Sequence, residues 1–288
     1  KPAVEVTGSG NTNIELNGNN TLTSGYGHAG LEHNKTDDSG TLTIQDEKND
    51  DGSAKGSASD TTGSLTATGG YHGAGIGGSD KQDGQVTITG GEITANGGSQ
   101  GAGIGGGAYG NGTVTVTDGD ITAKATGNYG AGIGGGLGAI PKDTLIGGNG
   151  TVTISGGTIT EASGGYMAAG IGSGYQGLGT VTVEGDAVIK NAQGGEAGAG
   201  IGSGTYGDSE ILIRGDAVIE NAESSGNGAG IGSGSSDTKD DSKKGAVTIN
   251  ITGGTITEVD GGDNANLDDG QQDKTYQFTF FDRVIMPA

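Results

Sequence analysis

The stretch Gly73-Ala74-Gly75-Ile76-Gly77-Gly78 returns five more times with almost no change, carrying Ile104, Ile133, Ile171, Ile201 and Ile231 at the place of Ile76. A worn copy, His28-Ala29-Gly30-Leu31-Glu32, precedes them. The isoleucines stand 28, 29, 38, 30 and 30 residues apart, so a unit of about thirty residues is repeated, which is the signature of a solenoid. Residues two apart in an extended strand share a face, so Ala74 and Ile76 are expected to point inward and the glycines between them outward. On that reading one outer strip of the molecule carries almost no side chains. Among the intact copies Ala168 alone stands where the others have glycine.

Outward from this stretch each unit continues with two further short strands. The first reads Val86-Thr87-Ile88, Val114-Thr115-Val116, Val152-Thr153-Ile154, Val181-Thr182-Val183, Ile211-Leu212-Ile213 and Ile249-Asn250-Ile251, with Ile14-Glu15-Leu16 and Leu42-Thr43-Ile44 as earlier copies. Its outer residues face in and its central residue faces out. A glycine pair or Gly-Asp turns the chain, as at Gly90-Gly91, Gly119-Asp120, Gly156-Gly157, Gly185-Asp186 and Gly215-Asp216. A second strand follows, centred on Leu22, Leu65, Ile93, Ile121, Ile159, Ile189, Ile219 and Ile256. Three strands in about thirty residues predict an all-β fold, a right-handed parallel β-helix of about eight coils, over residues 1–262, with 263–288 as a C-terminal cap or the start of a following domain. The tail holds all three phenylalanines, Phe278, Phe280 and Phe281, and is expected to cover the last coil's exposed edge.

Side chains test the register. Gly185-Asp186-Ala187-Val188-Ile189-Lys190-Asn191-Ala192 recurs as Gly215-Asp216-Ala217-Val218-Ile219-Glu220-Asn221-Ala222. In-register stacking then puts Lys190 beside Glu220, Glu184 beside Arg214, and Asn191 on Asn221 in an amide ladder. Departures from the period at 45–63, 137–148 and 234–244 are expected to be projecting loops.

Composition limits what the chain can do. Glycine is 68 of 288 residues without a three-residue period, which excludes collagen, and the recurring strand triplets argue against disorder. With no tryptophan and few aromatics, the interior must consist of thin layers of small aliphatics. Cysteine is absent, so neither disulfides nor thiol chemistry is available. The net charge of −21 repels nucleic acid and anionic membranes, and no segment reads as membrane-inserting. The chain opens on Lys1 without an initiator methionine or apolar signal segment, and reads as a piece of something longer.

Units of the form Gly-Thr-Val-Thr-Ile-x-Gly-Gly-x-Ile-Thr-Ala-x-Gly-Gly followed by Gly-Ala-Gly-Ile-Gly-Gly-Gly resemble the glycine-rich repeats of large secreted and wall-attached proteins of Gram-positive, often gut-dwelling, bacteria. The resemblance covers about residues 40 to 258. It implies a carbohydrate-binding or adhesin β-helix at the bacterial cell surface or outside the cell, without supplying a ligand or a site.

The candidate site follows from the glycines and tyrosines. Glycine inside a strand usually signals close approach by something, and seven of the eight tyrosines flank the repeated stretch. A flat floor including Gly103, Gly132 and Gly200, rimmed by Tyr71, Tyr109, Tyr129, Tyr166, Tyr175 and Tyr206, is expected to receive a polysaccharide or host glycan, ring faces against sugar C–H surfaces. Two rods could equally associate through their glycine faces. Asp186 and Asp216, with Asp120 on an equivalent turn, are candidate calcium ligands; solubility is the plainer explanation of the acidity. The outward threonines suggest an ice-binding lattice, which Glu210, Leu212 and Arg214 interrupt. A polysaccharide lyase would need a basic residue beside calcium-holding carboxylates, yet the chain has only two arginines, and Asp186 and Asp216 stack rather than oppose each other. A non-enzymatic glycan binder is therefore the leading expectation, with a passive surface stalk as its rival.

Overall fold

The computed structural model describes residues 1–47, 63–138, 148–235 and 245–262, and the backbone of Thr275–Phe278. The expected loops at 45–63, 137–148 and 234–244 fall mostly outside these residues, as do Phe280, Phe281 and most of the expected cap at 263–288.

The described chain is a right-handed parallel β-helix. Strands Thr12–Leu16, Leu42–Asp46, Asp83–Gly97, Gly112–Ala125, Gly150–Ile154, Gly179–Val183, Ser209–Ile213 and Val247–Ile251 stack in parallel, each one coil beyond the last. The register is residue-for-residue as the repeat demands: Val86 on Val114, Val114 on Val152, Val152 on Val181 and Val181 on Ile211. Thr113, Thr151 and Thr180 form an outward row that Glu210 interrupts before Thr248 resumes it. In the third and fourth coils the first and second strands form one bent strand, the bend falling at Gly91 and Gly119 with φ of 95° and 105°.

The core follows from this alternation. Taking one coil, Val114, Val116, Ile121, Ala123, Ala131 and Ile133 are all buried, and equivalent side chains above and below continue one apolar cluster through the stack. Each large aliphatic so enclosed contributes about 1.5–3 kcal/mol. A thin cross-section is thus filled by length of stacking rather than by breadth.

The third side of each coil differs from a plain strand. Only two residues per coil, such as Ile76–Gly77, Ile104–Gly105 and Ile133–Gly134, pair with the next coil in the eight-stranded third sheet. The alanine N–H donates to the carbonyl four residues on, Ala74 to Gly78, Ala102 to Gly106, Ala131 to Gly135, closing a tight loop. The flanking segments then meet outside that loop. The segment before it in one coil accepts from the segment after it in the next: His72 O from Ala108 N, Gln100 O from Leu137 N, Tyr129 O from Tyr175 N and Met167 O from Thr205 N.

The side-chain ladders divide. Arg214 Nε donates to Glu184 at 2.6 Å and Asn221 Nδ2 donates to Asn191 Oδ1 at 3.1 Å. Ile189 lies on Ile219, which sets Lys190 beside Glu220, but among the described ion pairs none joins them, and both stay exposed. At the tail, Thr275–Phe278 pairs in parallel with Val247–Ile251, laying one more strand on the last coil.

Candidate functional site

The glycine strip is not a surface. Gly103, Gly132 and Gly200 are buried, and so are the glycines two residues to either side of them. A Cβ built on Gly132 would stand 2.6 Å from both the Gly170 carbonyl and the Ser163 amide; one on Gly103 or Gly200 meets the equivalent backbone. What approaches the glycine is therefore the protein itself, the loop backbone of the next coil and the second-strand backbone beside it. The glycine after the isoleucine has a different reason. Its φ runs from +128° at Gly77 to +146° at Gly232, a conformation that side chains oppose. These observations correct the expectation of an outward glycine floor, and with it the glycine face through which two rods were to associate. Strict two-residue alternation fails because the segment is a five-residue loop rather than an extended strand.

The tyrosines separate into two groups by position in the repeat. Tyr26, Tyr71 and Tyr166 each stand five residues before the leucine or isoleucine of their coil, and these three are the exposed ones, at 70%, 50% and 45%. Tyr129 stands four before, Tyr175 four after, and Tyr109 and Tyr206 five after; all four are half-buried. Tyr109 and Tyr206 adopt φ of 61°, as Lys81 and Gln176 do near 60° at the same repeat position, so this corner is a left-handed turn whatever residue fills it. Tyr129, Tyr175 and Tyr206 pack edge to face, with centroids 5.7 and 6.0 Å apart. Burial, then the neighbouring phenols of Tyr206 and Tyr129, raise the Tyr175 phenol above its ordinary value of 10.0.

The exposed tyrosines belong to one backbone ladder. Tyr71 O accepts from Gln100 N, Ser99 O from Asn128 N, Asn128 O from Met167 N, and Tyr166 O from Ala197 N. Tyr71, Ser99, Asn128 and Tyr166 thus occupy successive rungs of a ridge parallel to the rod axis. Tyr26 stands one coil earlier, its ring parallel to that of Tyr71 with centroids 5.9 Å apart and an interplanar angle of 6°. His72 completes this cluster, its ring 4.9 Å from Tyr26 and 5.0 Å from Tyr71. Asp80 Oδ1 lies 3.2 Å from His72 Nδ1, and Tyr26 Oη lies 3.4 Å from Nε2. Nδ1 and the Asp80 oxygen make no hydrogen bond to each other, so the imidazole's hydrogen-bond contact is the Tyr26 hydroxyl, and two stacked phenol rings and one tilted imidazole meet in a single cluster. Neither His72 nor Asp80 was legible as part of a site from sequence. The adjacency of Tyr71 and His72 was the available signal, but Asp80 reaches His72 only through the closure of the loop between them.

The carboxylates do not gather. Asp186 and Asp216 stand at the same turn of successive coils, two residues before the paired Val188 and Val218. Asp120 pairs instead with Glu92 and Thr158 at the start of the second strand, and Thr158 pairs with Val188, so Asp120 is not on an equivalent turn. The later coils carry an extra turn residue, which spacing alone does not reveal. Among the described residues no group of three or more His, Cys, Asp or Glu is arranged to hold a metal ion. An open depression of about 330 Å³ is lined by Asp46, Glu47, Asp118 and Asp120. Three of its acids are already used: Asp46 Oδ1 accepts from the Glu47 and Gly63 amides, Glu47 Oε1 from Asn17 Nδ2 and Asp118 Oδ1 from Gly119.

Sequence reasoning also missed a capping ladder at the entry to the first strand. Asp83 Oδ1 accepts from Asn111 N at 2.7 Å, Asn111 Oδ1 from Asn149 N at 3.1 Å, and Asn149 Oδ1 from Leu178 N at 2.8 Å. The recurring Gly-Asn-Gly at 110–112 and 148–150 was its signal.

Comparison with known families agrees with this architecture. A family described as a β-helix repeat matches residues 63–80, 86–108 and 152–175, each match covering strands of the stack. The chain carries a parallel β-helix repeat region. No curated protein and no solved structure gives a significant match.

Proposed function

We propose that this β-helix is a non-enzymatic, extracellular glycan-binding module, and that the ridge of exposed tyrosines, rather than the glycines, is its recognition surface. The observation that carries the reading is that, of the four exposed large hydrophobic residues among those described, three are tyrosines that share one repeat position, Val4 being the fourth. Exposed phenol faces stack on the C–H faces of pyranoses, and their hydroxyls bond sugar hydroxyls. Parallel rings at Tyr26 and Tyr71, edged by His72, supply both kinds of contact in one place. The strongly negative net charge suits a surface-exposed, soluble rod and disfavours nucleic acid and anionic membranes as partners.

The test is retention of the protein on a panel of soluble and insoluble polysaccharides, with assay for released reducing or unsaturated ends. Retention without product, weakened by about 1–2 kcal/mol in Tyr26→Ala and again in Tyr71→Ala, is expected. Retention unchanged in both variants would overturn the assignment of the ridge. No retention on any glycan would favour a passive stalk.

A further inference from the structure

The ridge has a direction, and that direction restricts its ligand. Resting on the glycan-binding reading above, we propose that the ligand is an unbranched, uncharged polysaccharide lying lengthwise along the rod, with its main subsite at Tyr26, Tyr71 and His72 and a second at Tyr166. Tyr71 and Tyr166 are separated by three rungs, on the order of 14 Å at about 4.8 Å per coil. Between them the rungs carry Ser99 and Asn128, small polar side chains that leave the ridge low and offer hydrogen bonds to sugar hydroxyls. A chain crossing the rod at right angles would meet a single coil, and so one exposed tyrosine at most. Only a chain parallel to the axis reaches all three.

Charge sets the class. Asp80 backs His72 in the main subsite, and the next rung beyond Tyr166 carries exposed Glu196. A uronate or sulfated chain laid along this line would bring like charges together, on a protein whose net charge is already −21. The uncharged chain pays no such penalty.

The test uses cellohexaose, xylohexaose and mannohexaose, their matching disaccharides, and hexagalacturonate, titrated against the whole chain and against Tyr71→Ala and Tyr166→Ala. At least one neutral hexaose is expected to bind about tenfold or more tighter than its disaccharide, with hexagalacturonate weaker than that hexaose. Tyr166→Ala is expected to remove the length advantage and leave disaccharide affinity unchanged, whereas Tyr71→Ala weakens both. Equal affinity for hexaose and disaccharide, or a Tyr166→Ala variant that matches the parent protein, would overturn the lengthwise arrangement while leaving glycan binding intact. Tightest binding of hexagalacturonate would overturn the charge argument. Absence of binding by every sugar would instead remove the glycan reading on which the proposal rests.

Discussion

At the scale of the residue, glycine and tyrosine do different work from what their spacing suggests. Gly132 is required by a backbone-to-backbone approach, so Gly132→Ala is expected to lower stability by about 2 kcal/mol or more, read as a fall in denaturation midpoint. Its Cβ would meet two backbone atoms at 2.6 Å, and neither can move aside as a flexible side chain could. Tyr175 gives a second residue-level test. Its phenol is held above 10.0 by burial and by Tyr206 and Tyr129, so an alkaline ultraviolet titration should show one phenol ionising above that value, and Tyr175→Phe should remove it. Because the folded value is raised, the stabilisation is fully present below about 10 and is lost as pH rises through the higher folded value. Tyr175→Phe should remove that part of the alkaline loss. The inward placement of Ala74 and Ile76 was legible from sequence, since both are fully buried. The burial of Gly75 was not, because alternation presumes an extended strand and the chain here closes on itself through the Ala74 to Gly78 hydrogen bond.

At the scale of the element, strand triplets proved the more readable part. Val-Thr-Ile at 86–88 and 152–154 lies in the register that its hydrophobic pattern requires, because a one-residue slip would expose every aliphatic. Ile133 sits where the short third strand meets the core, and Ile133→Ala is expected to cost about 2–5 kcal/mol. The Asp83, Asn111, Asn149 ladder closes the entry to the first strands that begin at Gly112, Gly150 and Gly179. Asn149→Ala leaves the Leu178 amide without that partner and is expected to destabilise by about 1–3 kcal/mol, with faster hydrogen exchange at Leu178 as its local signature. Turns were the least readable element. One extra turn residue before Val188 and Val218, relative to the turn before Thr158, leaves Asp186 and Asp216 two residues short of the rung that holds Asp120, and thereby splits the expected calcium trio.

For the whole molecule, regular stacking converts a repeat position into a line. Exposure at one corner of one coil would be unremarked; the same corner in the first, second and fifth coils becomes a ridge with two separated aromatic stations. The fold was legible because period and pattern agree over the whole stack, whereas the site was legible only as a collection of tyrosines. Which of them reach the surface depends on how two flanking segments close over each loop, and that closure is a tertiary event. Hydrogen–deuterium exchange with and without a retained polysaccharide tests the ridge most directly. Protection confined to 26–28, 70–72, 98–100, 127–129 and 165–167 is the expected result; protection instead along the threonine rows at 113–115, 151–153 and 180–182, with the ridge unchanged, would contradict it.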